Sequence, residues 1–171
     1  MRRMRKRIIA IDPGNEKSAF CVINYDDYSL VRFDKVTNQK MLDMLYCIGE
    51  DGTFTAGTTD MAIEMVASYG MPVGVSVFET VFYTGRFWEA TPSLKKEKIY
   101  REAVKLNLCH TKRAKDSNII QALIDRFACG VPNKGKGTAK NPGYFYGFAD
   151  DIWQAYAVGV TYIDAEKEKN W

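Results

Sequence analysis

The sequence has 171 residues, 46% hydrophobic and 26% charged, with a formal net charge of +3, which is typical of one globular domain with a substantial core. No apolar run approaches the ~20 residues of a membrane-spanning helix, and the short apolar stretch after the basic N-terminus is unlike a signal peptide, so we expect a cytoplasmic protein. A single histidine, His110, and four cysteines without a CxxC pair disfavour His-rich zinc sites and a Ser-His-Asp triad. Any catalysis is therefore expected to use carboxylates.

The first part of the chain predicts strands. Residues 7–12, 18–25 and 28–36 read as three short strands with tight links, followed by a helix over 38–48. Residues 61–66 (MAIEMV) predict a fourth strand, apolar on both sides of Glu64, as expected of a strand buried on both faces.

The second part predicts mostly helices. Residues 76–90 form an aromatic-rich helix, for which core or dimer packing is favoured over contacts to bases. Residues 98–109 fit a strand or a helix, and we favour a strand. Helices are predicted over 115–128 and 149–163, and the element order fits an α/β domain with a mixed sheet. We expect one domain over 1–171, with a basic N-terminal extension (1–6), a flexible basic loop (130–147) and a charged tail (165–171).

Acidic residues stand at three places where an apolar element begins, ends or is interrupted, namely Asp12, Glu64 and Asp150–Asp151. An ionised carboxylate costs several kcal/mol to bury unless it is paired or binds a metal. Neighbouring strands can bring Asp12 and Glu64 to one sheet edge, whereas turn formation and helix capping are the alternative roles of these acids. Converging carboxylates suit Mg²⁺ or Mn²⁺, and a pair of ions ~3.5–4 Å apart can support phosphoryl displacement.

Basic residues are clustered although the chain is nearly neutral. Five of the first seven residues are Lys or Arg, and further groups lie at 95–98, 112–115 and 134–140. Such clustering favours a surface that faces phosphates, with a solubilising face as the alternative.

Three segments together resemble a known family: IIAIDPGNEKSAFCVI, the apolar strand with Glu64, and GFADDIWQAYAVG. They resemble the RuvC Holliday-junction resolvases, most closely the bacteriophage-encoded members, over nearly the whole chain. The resemblance implies an α/β, ribonuclease H-like fold with a mixed five-stranded sheet flanked by helices. It also implies a homodimer that resolves four-way junctions, and other branched DNA, by Mg²⁺-dependent paired nicking, in the host cytoplasm if the protein is phage-encoded.

The resemblance assigns the catalytic residues to Asp12, Glu64, Asp150 and Asp151. Asp12, Glu64 and Asp151 would be ligands of two Mg²⁺ ions, for which Mn²⁺ can substitute. The family has two Asp residues three positions apart in the final helix, and here Asp151 and Gln154 take these positions. Both would share a helix face at ~100° per residue, but Gln154 is uncharged, so we expect weaker binding of one ion.

The resemblance also implies residues that bind DNA. The loop after Glu64 would place an aromatic residue against unpaired bases; Tyr69 is the aromatic residue available, while the usual position carries Ala67. An ordinary half-buried loop residue is the alternative role of Tyr69. The residues themselves indicate a phosphate clamp, because three basic side chains stand ahead of a predicted helix N-terminus: Lys112, Arg113 and Lys115.

Two other functions remain open. The chain could be a junction-binding protein with weak or no nuclease activity, because Gln154 removes an expected acid. A sugar-kinase-like or actin-like nucleotide binder also begins with a strand, an Asp and a Gly, but it usually needs Thr/Ser-rich phosphate loops and two such domains. We therefore expect no nucleotide cofactor.

Overall fold

The computed structural model describes residues 6–47, 59–91 and 95–169. Residues 1–5 of the basic extension, residue 48 of the predicted first helix and the last two residues of the charged tail lie outside the described residues. Within these ranges, the structure contains no helix that is both long and apolar enough to cross a membrane.

Five strands form one mixed sheet, and helices cover its two faces. The sheet order is β3-β2-β1-β4-β5, with β2 antiparallel to β1 and β3, and with β4 parallel to β1 and β5. This confirms the predicted α/β architecture. The elements are β1 Arg7–Asp12, β2 Lys17–Asn24, β3 Leu30–Thr37, α1 Asn38–Tyr46, β4 Thr59–Met65, α2 Val75–Glu89, β5 Lys95–Tyr100, α3 Arg101–Cys109, α4 Asp116–Phe127 and α5 Ile152–Glu168.

Alternation along β1 separates two cores. Ile8 and Ala10 belong to the core that includes α5, whereas Ile9 and Ile11 pack in the core with α1 and α2. The α5 side is tightly packed, because a Cβ on Gly159 would lie 2.3 Å from Ile23 Cδ1. A side chain at position 12 therefore continues the row that faces α5.

The prediction of a strand over 98–109 is wrong for its larger part. Strand β5 ends at Tyr100, and residues 101–109 form α3. Val104 is fully buried in the α5-side core and Leu108, four residues later, packs against it, which is helical spacing. The apolar residues of this short segment fit both the alternation of a strand and the spacing of a helix. Packing against the α5-side core favours the helix.

The final helix also differs from its predicted span of 149–163. Asp150 has a left-handed backbone with φ of 43°, which prevents the helix from extending through this residue, and Asp151 is the N-cap. The helix begins at Ile152 and continues to Glu168, so it includes part of the predicted charged tail. Asp150 and Asp151 thus precede the helix rather than lie within it.

The segment 130–147, predicted as a flexible loop, is folded as a series of turns in the structure. The backbone N–H of Gly143 donates to the carbonyl oxygen of Lys136 at 2.9 Å, and that of Phe145 donates to Gly135 at 3.0 Å. Phe145 is fully buried, with its ring centroid 4.7 Å from that of Trp153. Phe145 thus packs the end of this segment into the α5-side core.

Candidate active site

Asp12 and Glu64 meet at the carboxyl edge of two parallel strands. Ile11 of β1 pairs with Ile63 of β4, and the next residue on each strand is the acid. Side chains at equivalent positions of parallel neighbours point to the same face, here the face covered by α5. Both side chains are half-buried, and the two carboxyl groups are close enough to shift each other's pKa.

The electrostatics of this pair favour a shared proton. Burial raises the pKa of Asp12 to about 8, with further increases from the neighbouring charges of Glu64 and Asp151. Burial also raises the pKa of Glu64, while the nearby Arg101 guanidinium opposes this rise. A proton shared between the two carboxyl groups would relieve the repulsion between their charges.

Asp151 lies near this pair but has its own partner. Its Oδ2 atom accepts a bond from Lys35 Nζ at 2.5 Å, and this contact raises the pKa of Lys35. Asp150 is exposed, yet its charge also acts on Lys35. No three Asp, Glu, His or Cys side chains in the described ranges are close enough together to hold a metal ion. The structure thus brings Asp12 and Glu64 together, while Asp151 acts on Asp12 only through its charge.

Gln154 is the notable polar residue of the first turn of α5. Its side chain is 9% exposed, and its Oε1 atom has no hydrogen-bond partner in the part of the chain that the structure describes. Its backbone N–H donates to the carbonyl oxygen of Asp151 at 3.0 Å, so the two residues lie one helical turn apart. A buried acceptor without a donor is costly, and a cation is one partner that would satisfy it.

The available donors fit a hard divalent cation in chemical type. Asp12, Glu64 and Asp151 offer carboxylate oxygens and Gln154 offers an amide oxygen, which are the ligands that Mg²⁺ and Mn²⁺ prefer. Loss of the shared proton and release of Lys35 would make these oxygens available.

Sequence reasoning missed Arg101 and Asp116. The Nη1 atom of Arg101 lies 3.7 Å from Glu64 Oε1, and its Nη2 atom forms an ion pair with Asp116. A helix boundary after β5 would have indicated Arg101, because β5 runs parallel to β4 and ends at the same edge. Asp116, the first residue of α4, gives no such signal in the sequence.

Solved structures with the same architecture identify the fold. The chain has a RuvC-like, ribonuclease H-like fold. The structure of Thermus thermophilus RuvC is similar with a TM-score of 0.62 and 13% identity, covering 95% of this chain and 96% of that one. T. thermophilus RuvC in complex with a Holliday junction substrate is similar with a TM-score of 0.64 and 12% identity, over the same shares. No family model and no curated protein sequence matches the chain.

The predicted DNA-binding residues of this RuvC-like fold lie on its surface. Tyr69 is 63% exposed in a turn after β4, and its hydroxyl is close enough to Lys112 to affect that side chain electrostatically. Lys112 forms an ion pair with Glu102 of α3. Arg113 and Lys115 are exposed, and Lys115 directly precedes α4. The basic segment therefore adjoins the acid pair through the contact between α4 and Arg101.

Proposed function

We propose that the protein is a structure-selective endonuclease that nicks four-way and other branched DNA in a reaction that depends on Mg²⁺ or Mn²⁺. The observation that carries this proposal is the joined pair of Asp12 and Glu64 at the carboxyl edge of the sheet. In open α/β sheets this edge is the usual place for ligands. The proposal is supported by the RuvC-like fold over 95% of the chain, in which one similar structure holds a Holliday junction substrate.

In this proposal Asp12, Glu64 and Asp151 hold the divalent cations, two per site, and Gln154 provides a neutral oxygen. The bound cations supply activation of water and stabilisation of charge on the phosphate. Asp12 and Glu64 act as ligands in their deprotonated form, so binding of the cations is coupled to loss of any proton that the pair holds. Asp150, exposed beside Asp151, serves as a further acid at the site entrance.

DNA would be held by the surface next to the acids. Tyr69 presents a ring for stacking on an unpaired base, an interaction worth ~1–3 kcal/mol per base that tolerates any sequence. Lys112, Arg113 and Lys115 contact phosphates, which makes binding strongly dependent on salt and largely independent of sequence.

Paired nicking requires two sites, and α2 offers a surface for a second copy. Phe87 is buried in the core, but Phe78 and Phe82 are 63% and 59% exposed. A groove of about 540 Å³ adjoins this helix and is lined by residues that include Phe82, Trp88 and Lys98. A two-fold dimer through this face would place two acid pairs on opposed strands.

Nicking of a labelled synthetic four-way junction, with a linear duplex of the same sequence beside it, tests the proposal. Reactions contain Mg²⁺, Mn²⁺ or EDTA, with the wild-type protein and Asp12→Asn. We expect metal-dependent, symmetric cuts in the junction that Asp12→Asn abolishes while junction binding persists. If the protein neither binds nor cuts the junction, the proposal is refuted and a nucleotide-binding role becomes the better candidate.

A second candidate is a junction-binding protein with weak or no nuclease activity. It is favoured by Gln154, which removes a negative charge, and by the pairing of Asp151 with Lys35. Tight junction binding without cuts by the wild-type protein, and cuts restored in Gln154→Asp, would select this candidate.

A further inference from the structure

Arg101 reaches the acid site because of where β5 ends. Strand β5 pairs in parallel with β4, with Glu64 opposite Ile99, and α3 begins two residues later with Arg101. One arm of the guanidinium lies 3.7 Å from Glu64, and the other pairs with Asp116 at the start of α4. The arginine thus bridges an acid of the candidate site and an acid outside it.

The two partners of Arg101 differ in their surroundings. Asp116 has a side chain that is 65% exposed, whereas that of Glu64 is 15% exposed. The guanidinium contacts Asp116 more closely than Glu64, so Asp116 anchors it and Glu64 is held at longer range. The charge of Arg101 lowers the pKa of Glu64 and of Asp12, in opposition to burial.

The opposite side of the site has a similar arrangement. Asp151 is paired with Lys35 of β3, the edge strand of the sheet opposite to β5, from which Arg101 follows. Lys35 thus lies on one side of the acids and Arg101 on the other. Gln154, being uncharged, reduces the negative charge that remains to attract such a cation.

We propose that Arg101 is the built-in counter-ion of this site, anchored by Asp116, and that it neutralises Glu64 until a divalent cation replaces it; this inference rests on the proposed metal-dependent function. Arg101 is a positioning residue rather than a ligand. It keeps the acids together in the metal-free protein, and its positive charge competes with the cation. Arg101 therefore sets the metal concentration at which the site fills.

Mn²⁺ titration of the full chain, followed by the electron paramagnetic resonance signal of the free ion at pH 7.5, tests this proposal. Arg101→Gln should tighten the Kd about tenfold or more, since one charge at ~4–6 Å typically shifts a neighbouring carboxyl group by ~1–3 pKa units. Asp116→Asn should weaken the Kd several-fold, because it removes a negative charge and releases Arg101 to Glu64. A merely structural role would weaken binding in both variants.

Two further variants complete the experiment. Arg101→Lys keeps the charge without the two-armed geometry, and its Kd should stay within about threefold of the wild-type value. Arg126→Gln is the matched control, because Arg126 also pairs with a carboxylate, Asp164, but lies ten residues along α4 from Asp116, ~15 Å away. Its Kd should equal that of the wild type even if its melting temperature falls.

The outcomes distinguish the role of Arg101 from the nuclease proposal. A Kd in Arg101→Gln that is unchanged or weaker, with Mn²⁺-dependent nicking by the wild type, would overturn the role of Arg101 and leave the nuclease proposal intact. Absence of Mn²⁺ binding in every variant would overturn the metal site and this inference with it. If Arg101→Gln does not fold, Asp116→Asn still tests the proposal, because a Kd in this variant that is unchanged or tighter would overturn the role of Arg101.

Discussion

Asp12→Asn should stabilise the protein in EDTA while it abolishes metal-dependent nicking. The folded protein raises the pKa of Asp12 from 3.8 to about 8, so the folded state holds a proton that the unfolded chain releases between these values. The free energy of unfolding of the wild type therefore falls as pH rises across this window. An Asn side chain does not titrate, so the variant does not lose stability in this way. A carboxyl group that lowers the stability of the fold, as Asp12 does here, is expected where the group has a functional role.

The magnitude follows from the same window. Each pKa unit corresponds to 1.36 kcal/mol, so the advantage of the Asp12→Asn variant could grow by at most ~4 kcal/mol between pH 5 and pH 8. Because the pair is only half-buried, water stabilises part of the charge, and we expect an increase of ~1–2 kcal/mol.

Urea unfolding in EDTA at pH 5, 6.5 and 8.5, for the wild type and Asp12→Asn, measures this difference. Asp43→Asn is the control, because Asp43 is an exposed acid of α1 whose replacement should change stability by less than ~0.5 kcal/mol at each pH. A difference between Asp12→Asn and wild type that stays constant with pH would refute the assignment of the raised pKa to Asp12.

Three further predictions concern other residues. Gln154→Asp should tighten Mn²⁺ binding about tenfold and lower the free energy of unfolding in EDTA, as measured by ion titration and urea unfolding, because it adds a buried charge that only a cation satisfies. Gly159→Ala should destabilise the fold by ~1–3 kcal/mol, since its Cβ would lie 2.3 Å from Ile23 Cδ1. Gly85→Ala, which has open space at its helical position, should instead stabilise the fold by ~0.5–1 kcal/mol, and thermal unfolding compares the two variants. Lys115→Gln should lower the slope of log affinity against log salt for a four-way junction by about one, as measured by fluorescence anisotropy from 50 to 200 mM salt.

The elements that carry the acid pair could be predicted because their signals are local. Strands β1 and β4 are short apolar runs, each with one acid near its end, and the order of the elements indicates a mixed sheet. The register that places Asp12 beside Glu64 then follows from parallel pairing. Segment 101–109 was not predictable in the same way, because its apolar residues fit both alternating and helical spacing over only nine residues. With its helix misassigned, the position of Arg101 next to the site was hidden.

Other parts of the site depend on contacts that no local pattern contains. Lys35 meets Asp151 only because β3 lies two strands from β1 and the chain returns there 116 residues later. The left-handed backbone of Asp150 moves both acids out of the final helix, although helical spacing had placed Asp151 and Gln154 within it. Aromatic packing likewise decided the fold of residues 130–147.

A second acid of the chain, Asp164, has several donors around it, and the contrast with Asp12 and Glu64 bears on the role of that pair. Asp164 of α5 is also half-buried, which raises its pKa, but bonds from Arg126, Asn107 and Tyr28 at 2.7 to 2.9 Å lower the pKa below its ordinary value. Asp12 receives no such set of donors from the residues that the structure describes, and its pKa rises instead. The chain thus surrounds Asp164 with donors that stabilise its charge, whereas Asp12 has no comparable set among the described residues. The raised pKa of Asp12 therefore agrees with the role proposed for it, because strongly perturbed carboxyl groups cluster at functional sites.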